Sequence, residues 1–233
     1  MSIVTENVRL RSADGHELDA HLAAPTTPTL GGVVLAQEMY GLNDYLKETC
    51  AFFAAHGYTA IAPALYDRKE RGIVFNYTKA AHDEAQKIYK SWDFNLALDD
   101  LDAARQCVKS SGSVAVVGYC WGGTLAWLAA CRRQYEGAVA YYGSMMPDFA
   151  AEKPRCPVIA IVGDRDSTMP AERLERFRQA QPEVPLFVYE GAQHGFDNSG
   201  RSERFHAEAS KMGRQQTLNF LASVRGEAMS GNI

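Results

Sequence analysis

Residues 114–124 constrain the fold of this chain more than any other stretch. They begin as a continuous apolar run of the kind that is buried in a parallel sheet, and they end in a helical pattern. Between the two lies Gly118-Tyr119-Cys120-Trp121-Gly122. A residue on a tight turn from strand to helix has a strained backbone, and its neighbours two positions away must lack side chains. The stretch therefore predicts an α/β fold in which Cys120 stands on a sharp strand-to-helix turn.

The rest of the chain alternates between strand-like and helix-like patterns. Two short alternating runs flank the turn signal Ala13-Asp14-Gly15 and predict an N-terminal hairpin. Strands are predicted at residues 4–10, 17–23, 32–36, 58–62, 113–117, 138–142, 158–162 and 186–189. Helices are predicted from a cap at Asn43 or Asp44 to Gly57, and at residues 79–108, 124–132, 171–180 and 202–224. Such alternation implies parallel crossovers, and hence a mostly parallel central sheet with helices on both faces.

Size and composition fit a single α/β domain over residues 1–233. The chain has 233 residues, 46% of them hydrophobic, which is enough for one sizeable core. Its net charge is -4 with no block of like charge, so we expect neither nucleic acid nor a membrane as a partner. We find no signal-peptide pattern and no apolar segment of membrane-spanning length. The expectation is a cytoplasmic protein that acts on a small molecule; its oligomeric state is left open, with a monomer among the options.

Cys120 is the first candidate for a chemical role. The helix after it points free N–H groups and the positive end of its dipole at the sulfur, which favours a thiolate and later a developing oxyanion. Free cysteines are more often small buried hydrophobes, and we interpret the other four in that way: Cys50, Cys107, Cys131 and Cys156. The five cysteines are widely spaced, which suits neither a disulfide framework nor a zinc site.

A nucleophilic cysteine needs a general base and an acid that orients it. His194 lies in a glycine-flanked loop directly after a predicted strand, whereas His206 falls inside the last helical pattern. The strand at 158–162 leads into a loop with two acids, Asp164 and Asp166. The order nucleophile, acid, histidine suits an α/β-hydrolase, but it does not choose between the two aspartates.

With these residues placed, the sequence resembles the dienelactone hydrolase (carboxymethylenebutenolidase) family of the α/β-hydrolase superfamily. The resemblance extends from about Ile3 to Leu221. Its main segments are residues 36–41, 57–66, 118–123, 141–143 and 191–196. A cysteine in the place of the usual serine nucleophile is its most specific mark.

The resemblance implies roles for several residues that spacing alone does not assign. The family's acid stands in Gly-x-x-Asp-x-x-x-Pro, which matches Gly163 to Pro170 and selects Asp166. The backbone N–H groups of Met39 and Trp121 would form an oxyanion hole. Glu38 would lie beside the nucleophile and help to control its protonation.

The resemblance also implies a substrate pocket, and here the sequence departs from the family. The pocket would be lined by Tyr89, Trp92 and Tyr142. The two arginines with which the family holds a substrate carboxylate are replaced by Ala85 and Asn198. An uncharged substrate is therefore expected unless another cation substitutes, the candidates being Lys87, Lys90 and Arg201.

The predicted function is hydrolysis of a small ester or enol-lactone through an acyl-enzyme on Cys120, with a Cys-His-Asp triad. No metal or organic cofactor is implied, because the chain lacks His-Glu-x-x-His, Gly-x-x-x-x-Gly-Lys and Gly-x-Gly-x-x-Gly. Two alternatives stand beside it. One is a general short-chain carboxylesterase or thioesterase with a non-anionic substrate, and the other is a non-catalytic binding module on the same fold.

Overall fold

Eight strands and six α-helices alternate along residues 2–226, which are the residues that the computed structural model describes. The strands are β1 (Ile3–Arg11), β2 (Glu17–Pro25), β3 (Gly32–Ala36), β4 (Thr59–Pro63), β5 (Val114–Tyr119), β6 (Gly137–Tyr141), β7 (Val158–Gly163) and β8 (Leu186–Tyr189). The helices are α1 (Asp44–Ala55), α2 (Lys79–Lys90), α3 (Phe94–Cys107), α4 (Trp121–Arg132), α5 (Ala171–Ala180) and α6 (Ala207–Val224). The predicted domain range of 1–233 also includes Met1 and residues 227–233, which lie outside the described part.

The strands form one sheet in the order β1-β2-β4-β3-β5-β6-β7-β8. β1 and β2 pair as the predicted antiparallel hairpin, and β2 also pairs antiparallel with β4. All other pairings are parallel. The prediction of a mostly parallel sheet is therefore confirmed.

The central strands are buried on both faces, as their continuous apolar runs require. Every residue of β3, β5, β6 and β7 is buried. Two hydrophobic clusters, one against each face, are built around the inward side chains of these strands and the helices that cover them. Because the strands are parallel, the loops after β3, β5, β7 and β8 emerge at the same edge of the sheet.

One predicted helix is two helices in the structure. The pattern at 79–108 is interrupted between α2 and α3, where Ser91 ends the first helix and Asp93 caps the second by accepting from the N–H of Asn95 at 2.8 Å. The interruption places Trp92 against Trp121, with ring centroids 6.1 Å apart. A single helix over this range was thus the wrong prediction, because an Asp cap and an aromatic contact override the continuing periodicity.

Two other helix starts also differ from the prediction. α4 begins at Trp121, directly after the cysteine, and not at residue 124. α6 begins at Ala207 and not at residue 202, because the side chain of His206 accepts a hydrogen bond from the N–H of Ala209 and caps the helix. His206 therefore has a structural role at a helix end. None of the helices within residues 2–226 combines the length and apolar character needed to cross a membrane.

Candidate active site

Cys120 occupies the turn between β5 and α4 with a backbone that few residues adopt. Its φ is 56° and its ψ is -116°. A Cβ atom added to Gly118 would lie 1.8 Å from the carbonyl oxygen of Gly122, and one added to Gly122 would lie 2.1 Å from that of Ala36. Both positions are closed to any side chain. The steric reason given for these two glycines is confirmed.

His194 connects the thiol of Cys120 to the carboxylate of Asp166. Its Nε2 lies 3.1 Å from Sγ of Cys120, and its Nδ1 lies 2.8 Å from Oδ2 of Asp166. The three side chains come from the loops after β5, β7 and β8, which the parallel sheet brings to one edge. Cys120 and His194 are more than 70 positions apart in sequence, so only the fold unites them.

The structure separates the two aspartates that chain order left open. Asp166 is 2% exposed and contacts the histidine. Asp164 is exposed, and its Oδ1 accepts a hydrogen bond from the N–H of Gly191 at 2.7 Å. Asp164 thus holds the loop after β8, while Asp166 faces the imidazole.

The charges of the site favour a protonated imidazole. Burial alone would lower the pKa of His194, but the interactions with Cys120 and Asp166 outweigh it and raise the pKa to about 10. Burial alone would raise the pKa of Asp166, but hydrogen bonds from His194 and Thr168 outweigh it and lower the pKa. Nε2 of the imidazole thus faces the sulfur of Cys120, and Nδ1 faces the carboxylate of Asp166.

Two backbone N–H groups that the resemblance assigns to the oxyanion hole, those of Met39 and Trp121, have no acceptor among the described residues. The chain leaving β3 runs against the start of α4, as the close approach of Gly122 to the carbonyl of Ala36 shows. Met39 lies on that chain, and Trp121 is the first residue of α4. Within residues 2–226, no acceptor takes the backbone N–H of either residue. They are free to bind a ligand oxygen, and their place in an oxyanion hole stays a prediction.

Glu38 is a buried acid fixed by a residue that sequence reasoning did not associate with it. It is 3% exposed, and burial raises the pKa of its carboxyl group. Nδ2 of Asn198 donates to its Oε2 at 2.6 Å and also to the hydroxyl of Tyr77 at 3.0 Å. Asn198 is therefore the partner of Glu38, at a separation of 160 positions that no local sequence signal could reveal.

The three aromatic residues expected in the pocket fall into two groups. Tyr89 and Trp92 are half-buried and contact the ring of Trp121, with centroids 6.4 and 6.1 Å away. Tyr142 is completely buried and packs edge-on against the imidazole of His194 at 5.2 Å. Their predicted part in binding substrate stays a prediction.

The cations proposed as substitutes for the family's arginines also differ in placement. Lys87 and Lys90 are exposed on α2. Arg201 is 7% exposed, and its guanidinium lies 5.4 Å from the ring centroid of Tyr40. A Cβ atom on Gly195 would lie 3.5 Å from this guanidinium and 3.9 Å from Oε1 of Glu38. Arg201 is thus the only one of the three that lies close to the buried acid.

The other cysteines stand in settings that disfavour a thiolate. Burial raises the pKa of the Cys131 thiol to about 12 and that of Cys156 to about 11. Burial also raises the pKa of Cys50 and of Cys107. Among the described residues, no group of three or more His, Cys, Asp or Glu side chains could hold a metal ion.

The fold and the site together define the class of protein. A cysteine on a strand-to-helix turn, followed in the chain by an acid and a histidine on later loops of a mostly parallel sheet, is the arrangement of an α/β-hydrolase. A Klebsiella pneumoniae protein solved as a candidate dienelactone hydrolase is similar, with a TM-score of 0.85 and 27% identity over 95% of this chain and 99% of that one. A dienelactone hydrolase-like promiscuous phosphotriesterase from metagenomic libraries shares the fold, with a TM-score of 0.73 and 20% identity over 94% of this chain and 98% of that one.

The sequence comparisons narrow the class to a family. Residues 18–225 match the Dienelactone hydrolase family. The carboxymethylenebutenolidase of Pseudomonas putida is 29% identical over 235 residues, covering 97% of this chain and 99% of that protein. Carboxymethylenebutenolidase 1 of Cupriavidus pinatubonensis is 28% identical over 233 residues, covering 96% and 99%. The chain belongs to the dienelactone hydrolase family and is a carboxylic ester hydrolase of that type.

Proposed function

We propose that this enzyme hydrolyses a small ester or lactone through a thioester on Cys120. The observation that carries the proposal is the contact of His194 with both other residues, 3.1 Å to the sulfur and 2.8 Å to Asp166. A nucleophile within hydrogen-bond distance of a base, with that base oriented by an acid, is the arrangement that nucleophilic catalysis requires.

The first half of the reaction forms the thioester. The thiolate sulfur attacks the carbonyl carbon, and the carbonyl oxygen becomes an oxyanion held by the N–H groups of Met39 and Trp121. When the tetrahedral intermediate collapses, the bond from carbon to the leaving oxygen breaks. The imidazolium of His194 gives its Nε2 proton to that oxygen, which departs as an alcohol or, for a lactone, as the free end of the opened ring.

The second half releases the acid. His194 is now neutral and takes a proton from a water molecule, whose oxygen attacks the thioester carbon. The carbon–sulfur bond breaks, and Cys120 leaves as a thiolate beside the newly formed imidazolium. Asp166 keeps the imidazole oriented through Nδ1 in both halves. The resting ion pair is regenerated with the carboxylic acid as product.

The pocket favours an uncharged acyl group. Ala85 is completely buried against Met39 and Tyr40 and carries no charge. The amide of Asn198 is occupied by Glu38 and Tyr77. A buried carboxylate without a cation beside it is costly, so neither position would stabilise an anionic substrate. A short-chain carboxylesterase or thioesterase activity on neutral substrates is therefore the second candidate function.

The proposal is tested with purified enzyme and a chromogenic aryl ester such as p-nitrophenyl acetate. Cys120→Ala should abolish hydrolysis, while Cys107→Ala, at an exposed position, should keep it. Asp166→Asn should lower kcat by at least about a hundredfold, since amidation of the aspartate in a serine triad costs about ten-thousandfold. Asp164→Asn, the matched control on the same loop, should stay near wild type. Full activity of Cys120→Ala, or a larger loss at Asp164 than at Asp166, would overturn the proposed site.

A further inference from the structure

Thr168 contacts both the acid and the histidine, although nothing in the sequence drew attention to it. It lies in the loop after β7, two positions beyond Asp166. Its Oγ1 donates to Oδ1 of Asp166 at 2.6 Å, and its backbone N–H donates to the same oxygen at 2.8 Å. The same Oγ1 lies 3.1 Å from Nδ1 of His194.

The two carboxylate oxygens of Asp166 have different partners. Oδ1 of Asp166 accepts both donors of Thr168, which leaves Oδ2 to face Nδ1 of His194 at 2.8 Å. A hydroxyl has a single hydrogen atom, so Oγ1 donates to Asp166 and presents a lone pair to the imidazole. The N–H at Nδ1 therefore lies between two acceptors, the carboxylate and the hydroxyl. Rotation of the Asp166 carboxylate would break both contacts with Thr168.

We propose that Thr168 is a positioning residue of this hydrolase, whose hydroxyl locks the carboxylate of Asp166 and shares the Nδ1 proton of His194. The inference rests on the proposed function, because it assigns Thr168 a part in holding the imidazolium that faces Cys120. Hydrogen bonds to charged groups are among the stronger ones in proteins. The hydroxyl acts on the reaction through Asp166 and His194 and does not touch the substrate.

The surroundings of His194 show why this contact matters for its protonation. The other groups that face it are the thiol of Cys120, the buried acid Glu38, the ring of Tyr142 and the guanidinium of Arg204, which lies 3.5 Å from the backbone oxygen of His194. Within residues 2–226, only Asp166 and Thr168 hydrogen-bond to Nδ1. Loss of the Thr168 hydroxyl would leave the carboxylate as its single partner, and the imidazolium would be less favoured.

The experiment compares Thr168→Val, which keeps the shape and removes the hydroxyl, with Thr168→Ser, which keeps the hydroxyl. Ser167→Ala is the matched control, since Ser167 is the exposed neighbour on the same loop. For each protein, kcat/KM for a slowly departing alkyl ester is measured across pH, and unfolding in urea is recorded. Thr168→Ala is a second variant without the hydroxyl, for use if the valine protein does not fold.

We expect Thr168→Val to lower kcat/KM by about tenfold to a hundredfold, the size of a lost hydrogen bond to a charged group. The alkaline limb of the pH–rate profile of Thr168→Val should shift by about one pH unit or more toward neutrality. A tenfold weaker stabilisation of the imidazolium lowers the pKa of His194 by one pH unit. Thr168→Ser should restore both the rate and the limb, and Ser167→Ala should match the wild type.

The proposal fails if the protein without the hydroxyl keeps the wild-type rate and pH profile. It also fails if the serine and valine variants lose activity equally, because then the hydroxyl is not the cause. These outcomes are distinct from failure of the proposed function, which would appear as retained activity in Cys120→Ala.

Discussion

The two ring nitrogens of His194 have different partners, and these partners decide its protonation. Nε2 faces the sulfur of Cys120 and Nδ1 faces the carboxylate of Asp166, and together these groups raise the pKa of His194 although the ring is buried. Burial alone would raise the pKa of Asp166, but hydrogen bonds from His194 and Thr168 outweigh it and lower the pKa. In the proposed mechanism, His194 is therefore an acid catalyst that keeps its proton above neutral pH.

The pH dependence of the reaction should reflect this raised pKa. Protonated His194 is needed to donate to the leaving group, so kcat/KM should hold through neutral pH and fall as pH rises through about 10. The raised pKa of His194 also stabilises the folded protein. This stabilisation is fully present below the pKa of the unfolded state, about 6.5, and is lost as pH rises through the pKa of the folded state. A pH–rate profile with a slowly departing alkyl ester measures it. An alkaline limb between pH 6 and 7 would mean that the ion pair does not form.

The secondary structure elements show how far the sequence alone could lead. The buried strands were predictable because their apolar runs are continuous. Cys120 and His194 were found from the strands that precede them, whereas Asp166 was chosen over Asp164 only through the family resemblance. The gap between α2 and α3 was missed because the apolar periodicity continues through it, whereas Asp93 and the packing of Trp92 decide the conformation. The partner of Glu38 could not be predicted either, because Asn198 reaches it only through the folded chain.

A buried ion pair fastens the hairpin end of the sheet to α3. Arg68 donates from Nε to Oδ2 of Asp100 at 2.7 Å and also binds Asp14 in the hairpin turn at 2.6 Å. Asp100 is fully buried, and the Arg68 side chain is only 11% exposed. The hydroxyl of Ser12 is the other partner of Asp100. The charge of Asp100 is thus balanced mainly by one guanidinium.

Arg68→Met should destabilise the protein by about 3–5 kcal/mol, because it leaves a buried carboxylate without its cation. Arg71→Met is the matched control: Arg71 pairs with Asp19, and both side chains are nearly half exposed, so the change should cost less than about 1 kcal/mol. Urea unfolding of both variants gives the comparison. Equal stabilities would show that the buried pair contributes no more than the surface pair.

Across the whole molecule, the sheet brings four loops to one edge, and the residues of the site arrive from all of them. Glu38 and Met39 follow β3, Cys120 follows β5, Asp166 follows β7, and His194 follows β8. Ala85 and Asn198 stand where the resemblance places arginines. The proposed chemistry and the proposed substrate preference therefore depend on different residues and can be tested separately.

Neutral small esters or lactones should be hydrolysed at least as efficiently, by kcat/KM, as anionic dienelactone. Arg201 is the cation that could shift this preference toward an anionic substrate, because it lies close to Glu38 and Gly195. Arg201→Met, compared with Lys87→Met on the exposed face of α2, measures its contribution. The expectation is contradicted if the wild type prefers dienelactone by about a hundredfold and Arg201→Met loses this preference. A hundredfold preference is the size of effect that one or two charge-assisted contacts produce.

The proposed role of Cys120 as nucleophile is tested by identifying the residue that carries the acyl group. Wild-type enzyme is mixed with p-nitrophenyl acetate, quenched with acid at successive early times, digested, and its peptides are examined by mass spectrometry. An acetyl group is expected on the peptide that contains Cys120. Hydroxylamine should release it, as it releases a thioester, and it should be missing from Cys120→Ala. An acetyl group on another residue during turnover, or full hydrolysis by Cys120→Ala, would contradict the proposed role.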